Sequence, residues 1–228
     1  MDDRGQSDFA RLPRFAARLY AALTQTGPIL SQHREIADDL ISRIEGGTVL
    51  DIGTGPGRLL EEVHRRRPDF RLYGLDISAA MVEMARKNLG GLGIEFQQGD
   101  IRHAPFRDHF FDLVTCTGSF YLWTEPREGL DEIFRILKPG RAAYLYETYS
   151  DCDLDAVREA FRANLRNENL LRRFIAPRLF LKQLRMTYRT DEIEAIVAGT
   201  RFSGSFSMDR IVLARMPAWV RITLMKTA

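Results

Sequence analysis

Between Thr48 and Glu147 the chain alternates short apolar runs with segments whose apolar residues recur every three or four positions. Apolar runs suit strands covered on both faces, and intervening helices return the chain to the same sheet edge, so the pattern predicts βαβ units around a parallel sheet. Thr48–Ile52 reads as the first strand, followed by a glycine turn and a helix from about Arg58 to Arg67. Arg71–Leu75 is the second strand, and Ser78 is the expected N-cap of a helix that Gly90 ends. Ile94–Gln98 alternates apolar and polar positions as a half-buried strand does. Phe111–Cys116 is a fourth run. A helix around Pro126–Leu137 sets Leu130, Ile133, Phe134 and Leu137 on one face, and the turn Lys138-Pro139-Gly140 leads into a fifth strand near Arg141–Tyr146. The predicted fold class is α/β: a doubly wound, mostly parallel sheet of about seven strands, the last antiparallel, with helices on both faces and a helical cap.

The flanks have another texture. Two amphipathic segments precede the sheet, one carrying Phe15, Leu19 and Leu23, the other Ile36, Leu40 and Ile44. Leu154, Val157, Phe161 and Leu165 then predict a helix ending before Pro177. Thr190-Asp191-Glu192 opens another, with Thr190 as the capping residue, and Gly199 stops it. Candidate strands near Phe202–Ser207 and Trp219–Lys226 are expected to pair antiparallel through a longer loop, broken at Met216-Pro217. The whole is expected to be one domain of residues 1–228: an N-terminal helical segment (1–45), a core (46–148), a cap insertion (149–189) and a C-terminal helix with its strand pair (190–228).

Composition narrows the class without choosing a function. A formal net charge of +2 over 228 residues implies neither nucleic acid nor membrane. Cys116 and Cys152, the two cysteines, have no neighbours at metal-ligand spacing and read as reduced thiols, so no metal is expected. The polar, acidic start predicts no secretory signal, and no run approaches the ~18 apolar residues of a membrane span. A cytoplasmic location is expected.

The segment Asp51-Ile52-Gly53-Thr54-Gly55-Pro56-Gly57 carries the chemistry. Glycine at every second position of a strand-to-helix turn permits positive φ and lets a ligand approach the backbone. The following helix start offers free N–H groups and a positive dipole end. A dinucleotide fingerprint is G-x-G-x-x-G, whereas this turn is G-x-G-x-G with a carboxylate two residues upstream. Pyrophosphate disfavours such an anion, while a ligand bearing ammonium and sulfonium cations tolerates it.

Asp51-x-Gly53-x-Gly55-x-Gly57 resembles the first motif of class I S-adenosylmethionine-dependent methyltransferases. Asp76, 19 residues after Gly57, stands where that family holds the ribose hydroxyls, a task that suits a carboxylate accepting two hydrogen bonds. Asp100 and Ile101, after Gly99, stand where the family reads adenine, with Ile77 on the adenine face. His103-Ala104-Pro105-Phe106, Phe111-Asp112-Leu113-Val114 and Leu137-Lys138-Pro139-Gly140 recur in the family's order. The resemblance covers about residues 34–147 densely and the last strand pair loosely. It is nearest the small-molecule branch that includes quinone-biosynthesis methyltransferases. It implies S-adenosylmethionine as cofactor, S-adenosylhomocysteine as product and a small-molecule acceptor.

Methyl transfer from a sulfonium is a direct displacement that depends on alignment, and a base is needed only where the acceptor must lose a proton. Catalytic residues are therefore not assigned by pattern. Thr117 to Trp123 follow the fourth strand and Tyr146, Glu147 and Tyr149 the fifth; Tyr20 and His33 come from the N-terminal segments. Thr117 is assigned to the cofactor, and Tyr121 and Glu147 are the preferred acceptor contacts. No Pro-Pro-aromatic segment follows the fourth strand and neither cysteine follows a proline, which argues against the family's DNA enzymes. Residues 158–189 hold nine basic residues against Glu159 and Glu168. They form either a solvated face, a basic lid over an anionic acceptor, or an RNA or acidic-protein surface, and their apolar residues could line the acceptor pocket or a homodimer face. Non-catalytic binding of the cofactor and a nicotinamide-dependent oxidoreductase stay open as rivals, the latter against the glycine spacing.

Overall fold

The computed structural model describes residues 27–166 and 170–227. Phe15, Leu19, Leu23 and Tyr20 lie outside them. The described chain begins with α1 (Gly27–Ile41), which places Ile36 and Leu40 in the core. Then β1 (Thr48–Ile52), α2 (Arg58–Arg66), β2 (Arg71–Asp76), α3 (Ala79–Leu89), β3 (Glu95–Gln98), β4 (Phe111–Thr117), α4 (Pro126–Ile136) and β5 (Leu137–Thr148) build the predicted alternation. Two helices follow, α5 (Leu154–Asn164) and α6 (Leu170–Leu184), then α7 (Thr190–Ala198), β6 (Phe206–Leu213) and β7 (Met216–Met225).

Seven strands form one sheet in the order β3-β2-β1-β4-β5-β7-β6. The first five pair in parallel, and β7 runs antiparallel to both β5 and β6. All five residues of β1 are buried, as a central strand covered by helices on both faces requires. The connection from β1 leads outward to β2 and β3, whereas β4 lies on its other side. This reversal opens a crevice at the carboxyl ends of β1 and β4, where open α/β sheets receive ligands.

Several local expectations change. Gly90 ends α3 as expected, but in a right-handed conformation (φ −60°) that continues into a short 3-10 turn closed by left-handed Gly93 (φ 72°). Ser78 occupies the N-cap position of α3 without a side-chain capping bond. Strand β5 starts at Leu137, because Leu137 already pairs with Phe111 before the register shift. Pro177 lies inside α6 rather than beyond a helix end; the first helix stops at Asn164 and a second carries the proline. Thr190 is the first residue of α7, not its cap: Glu192 accepts from the Arg189 N–H while the Thr190 hydroxyl binds Asp151. No longer loop joins β6 and β7. Ala214 and Arg215, both at positive φ (47° and 63°), make a two-residue hairpin turn, and Pro217 falls in a register shift of the ladder where its missing N–H is tolerated.

The amino edge of the sheet is closed by paired polar groups. Asp112 accepts from the Thr48 N–H at 2.9 Å and from Lys138 at 2.8 Å. Buried Lys226 donates to the Leu137 carbonyl at 2.7 Å and meets His109 Nδ1 at 2.8 Å. On one face of the sheet, Asp39 of α1 accepts from the Tyr146 hydroxyl and from Arg221, tying the first helix to β5 and β7.

Candidate active site

The carboxyl edge starts at the glycine turn. Gly53, Gly55 and Gly57 all take positive φ (68°, 53° and 84°), and each alternation of the motif meets that demand. A Cβ on Gly53 would fall 2.2 Å from Ser119 Oγ, so the loop after β4 presses directly on the turn. A Cβ on Gly57 would strike Leu89 at 2.6 Å. Gly55 is different: among the described residues nothing lies within 4 Å of the position its Cβ would take, which leaves the backbone open to approach. Gly57 then stands at the N-cap of α2 without a side-chain cap, leaving that helix start without a side-chain partner.

Asp76, at the end of β2, reaches across to this turn. One carboxylate oxygen accepts from the Gly55 N–H at 2.8 Å and the other from the Ser78 N–H at 2.9 Å. Two of its roughly four lone-pair directions are therefore used, and the rest can accept hydroxyls. Burial raises its pKa above the ordinary carboxylate value. Asp51, only 3% exposed at the root of the turn, is pushed up to about 7 by burial, with the nearby Asp76 charge adding to it. A bound cation would relieve both acids.

Asp100 closes β3 and caps the 3-10 turn Ile101–His103 by accepting from the Arg102 N–H. Its other oxygen takes the Arg102 guanidinium at 2.6 and 2.9 Å. Burial works against ionisation here, but Arg102 outweighs it and holds the carboxyl below the usual range. Ile101 is buried and Ile77 half-buried. Gln98 Nε2 donates to the Ile77 carbonyl at 3.3 Å, joining the two segments. Asp51, Asp76, Asp100 and Thr117 thus follow or end four neighbouring strands at one edge.

Beyond β4, the expected acceptor contacts separate. Glu147 is fully buried, and its carboxylate accepts from the Tyr121 N–H at 3.2 Å and the Thr148 N–H at 2.8 Å. Burial pushes it up to about 7. Through the Tyr121 N–H it holds the 3-10 turn Phe120–Leu122 to the end of β5. Tyr121 is buried on that turn, 6% exposed. Tyr146 is directed into the Asp39 and Arg221 network, and His33 is a buried residue of α1. Burial lowers the His33 pKa. Cys116 is a buried thiol against Ser119 Oγ at 3.0 Å, and burial raises its pKa.

Sequence reasoning singled out neither the Ser78 hydroxyl, except as a helix cap, nor Trp219 at this edge. Among the described residues, Ser78 Oγ, Thr117 Oγ1 and Trp219 Nε1 are buried with no hydrogen-bond partner. Such groups cost stability unless a ligand satisfies them. Trp219 pairs with Thr148 at the carboxyl end of β5, with its ring 3.9 Å from where a Gly118 Cβ would lie. No pattern in the sequence flags it, since the antiparallel final strand alone carries it to this edge.

Residues 49–140 match the protein family described as methyltransferase domain. That segment is a class I methyltransferase domain. Over 98 residues the chain is 33% identical to YdaC of Bacillus subtilis, an uncharacterized methyltransferase; the match spans 43% of this chain and 54% of YdaC. It is 37% identical over 101 residues to the demethylmenaquinone methyltransferase of Deinococcus radiodurans, spanning 43% of this chain and 42% of that protein. The chain thus spans about half or less of the length of these curated relatives. Among solved structures, the plantazolicin methyltransferase BamL, in complex with a triazolic desmethylPZN analog and SAH, aligns over 99% of this chain and 96% of its own, with TM-score 0.73 and 15% identity. A SAM-dependent methyltransferase from Aquifex aeolicus aligns over 92% and 98%, with TM-score 0.67 and 18% identity. At those identities the likeness is one of fold. The glycine turn and the ends of β2, β3 and β4 all fall within the methyltransferase domain. Among the described residues no helix is long and apolar enough to cross a membrane, and no group of His, Cys, Asp and Glu could hold a metal ion.

Proposed function

We propose that the protein transfers the methyl group of S-adenosylmethionine to a small-molecule acceptor, releasing S-adenosylhomocysteine. The observation that carries this reading is the Asp76 carboxylate bridging the Gly55 and Ser78 N–H groups beside an open, Cβ-free turn, with buried hydroxyls of Ser78 and Thr117 unpartnered among the described residues at the same sheet edge. In this reading Asp51, Gly53, Gly55 and Gly57 shape the methionine end. Asp76 holds the ribose hydroxyls, Asp100, Ile101 and Ile77 frame adenine, and Thr117 lies along the path to the acceptor. When bound, the cofactor supplies an electrophilic methyl on a sulfonium. The chain's own task is to bind, align and keep out water. Tyr121 faces the acceptor, and Glu147 acts through it as a positioning residue.

The acceptor class follows the relatives named for demethylmenaquinone, so quinone-like and other small aromatic compounds are the first candidates. Residues 46–148 form the cofactor core and 149–189 the cap of a single-domain, cytoplasmic enzyme. Isothermal titration with S-adenosylhomocysteine, with NADH as control, tests the cofactor assignment. Micromolar one-to-one binding of the adenosyl ligand alone supports it, and binding of NADH alone would replace it with the dinucleotide reading. Turnover is tested by mass gain in an acceptor screen; saturable binding without any turnover would leave a binding protein.

A further inference from the structure

The basic segment 158–189 folds into α5 and α6, and the site at the sheet edge makes no use of it. Helix α6 contains four basic residues and no acidic one. Its outward side carries three large apolar residues left exposed among the described residues: Phe174 (60% exposed), Ile175 (41%) and Leu179 (49%). Exposed Arg178 and Lys182 stand between them, and exposed Arg185 and Met186 continue the face beyond the helix. Among the described residues, Arg162, Arg173, Lys182 and Arg185 have no carboxylate partner. A cavity of about 300 Å³ adjoins this face, lined by Arg158, Arg162 and Arg173 together with Phe161, Phe174 and Pro177. Phe174 belongs to both the face and the cavity.

A helix that shows large apolar side chains interleaved with lysine and arginine, and no acid, has the composition of an interfacial helix. The arginine stems can lie along apolar surface while their heads meet phosphate. A second copy of this chain fits poorly, because a symmetric contact would set unpaired arginines against each other. RNA would engage the cations but leave Ile175 and Leu179 without a role, since bases stack on aromatic rings.

We propose that the outer face of α6 docks on an anionic lipid bilayer. Phe174, Ile175 and Leu179 enter the acyl boundary, and the arginine-lined cavity takes a phosphate headgroup. This proposal stands apart from the methyl-transfer reading. Flotation of the whole protein with phosphatidylglycerol vesicles at low salt, beside phosphatidylcholine vesicles, tests it directly. Binding to the first and not the second is expected. Arg162→Ser with Arg173→Ser should weaken it by roughly 25-fold, at about fivefold per cation removed. Phe174→Ser with Leu179→Ser leaves charge unchanged and should weaken it by at least about tenfold through lost insertion. Thermal midpoint and S-adenosylhomocysteine affinity should stay as in the parent, since all four side chains are exposed. No binding to phosphatidylglycerol overturns the proposal, as does equal binding by the Phe174/Leu179 variant. Tighter binding to single-stranded RNA than to vesicles, indifferent to Phe174 and Leu179, would assign the face to nucleic acid.

Discussion

The two ends of one sheet treat buried polar groups in opposite ways. At the amino edge, Asp112 receives the Thr48 N–H and the Lys138 ammonium, and these outweigh burial and hold its carboxyl below the usual range. Lys226 is enclosed there by carbonyls and His109. At the carboxyl edge, burial raises Asp51 and Asp76 with no cation beside them among the described residues, where Ser78, Thr117 and Trp219 keep polar atoms without partners. One end is satisfied within the chain. The other keeps buried polar atoms unpaired among the described residues, at a cost in stability.

Matched substitutions at the two edges should break this contrast most sharply. Gly47 (φ 132°) lies against the Asp112 carboxylate and Gly53 (φ 68°) against Ser119, each with no room for a Cβ. Gly47→Ala and Gly53→Ala should each cost roughly 2–4 kcal/mol in urea unfolding, from strain and displaced neighbours. Titration of the folded variants with S-adenosylhomocysteine should show Gly53→Ala weakened more than 100-fold and Gly47→Ala nearly unchanged. Equal losses of affinity would mean that the edges are not functionally distinct.

The carboxylates make a second pair. Asp112→Ala leaves Lys138 and the Thr48 N–H unpaired and should cost about 2–3 kcal/mol of stability with little effect on ligand affinity. Asp76→Ala should lower S-adenosylhomocysteine affinity by about 100-fold, as the loss of charge-assisted bonds to two hydroxyls implies, without unfolding the protein. Calorimetry and urea melts on the same samples separate the two effects.

Next in size is the pH dependence. Asp51 has a folded pKa of about 7 against an ordinary value of 3.8, so its ionisation opposes folding. Its contribution makes stability fall as pH rises from about 4 to about 7 and then level off. Asp112 has the opposite sign: its stabilisation is present above its unfolded value and lost as pH falls through its depressed folded value. Asp51→Asn should therefore flatten the decline between pH 4 and 7 in urea midpoints. An unaltered slope would remove Asp51 as its source. The smallest effect is expected from Arg102→Met, which frees Asp100 from its ion pair and should shift cofactor affinity by only a few-fold, since that pair is partly solvated.

The alternating pattern and the glycine spacing made the parallel half of the sheet and its ligand edge legible before any coordinates. Strand-to-helix turns are local, and an apolar run of five or six residues has few other uses. Asp76 was legible for the same reason, as the last residue of such a run. What failed was decided by contacts distant in sequence. The helix from Leu154 ends before Pro177 as expected, but Pro177 then lies inside a second helix that was not predicted, and Pro217 lies inside β7 opposite a register shift. Thr190 gave its hydroxyl to Asp151, 39 residues away, instead of capping α7.

By itself, then, the order of residues determined the βαβ core, the position of the glycine turn and the acids that end the strands, because period and turn chemistry act within a few residues. Only the tertiary structure decided which polar atoms at that edge stay unpartnered, that Trp219 reaches it from the last strand, and that α6 turns its apolar and basic side chains outward. Those outcomes depend on which surfaces are already covered by other elements, and no local pattern carries that information.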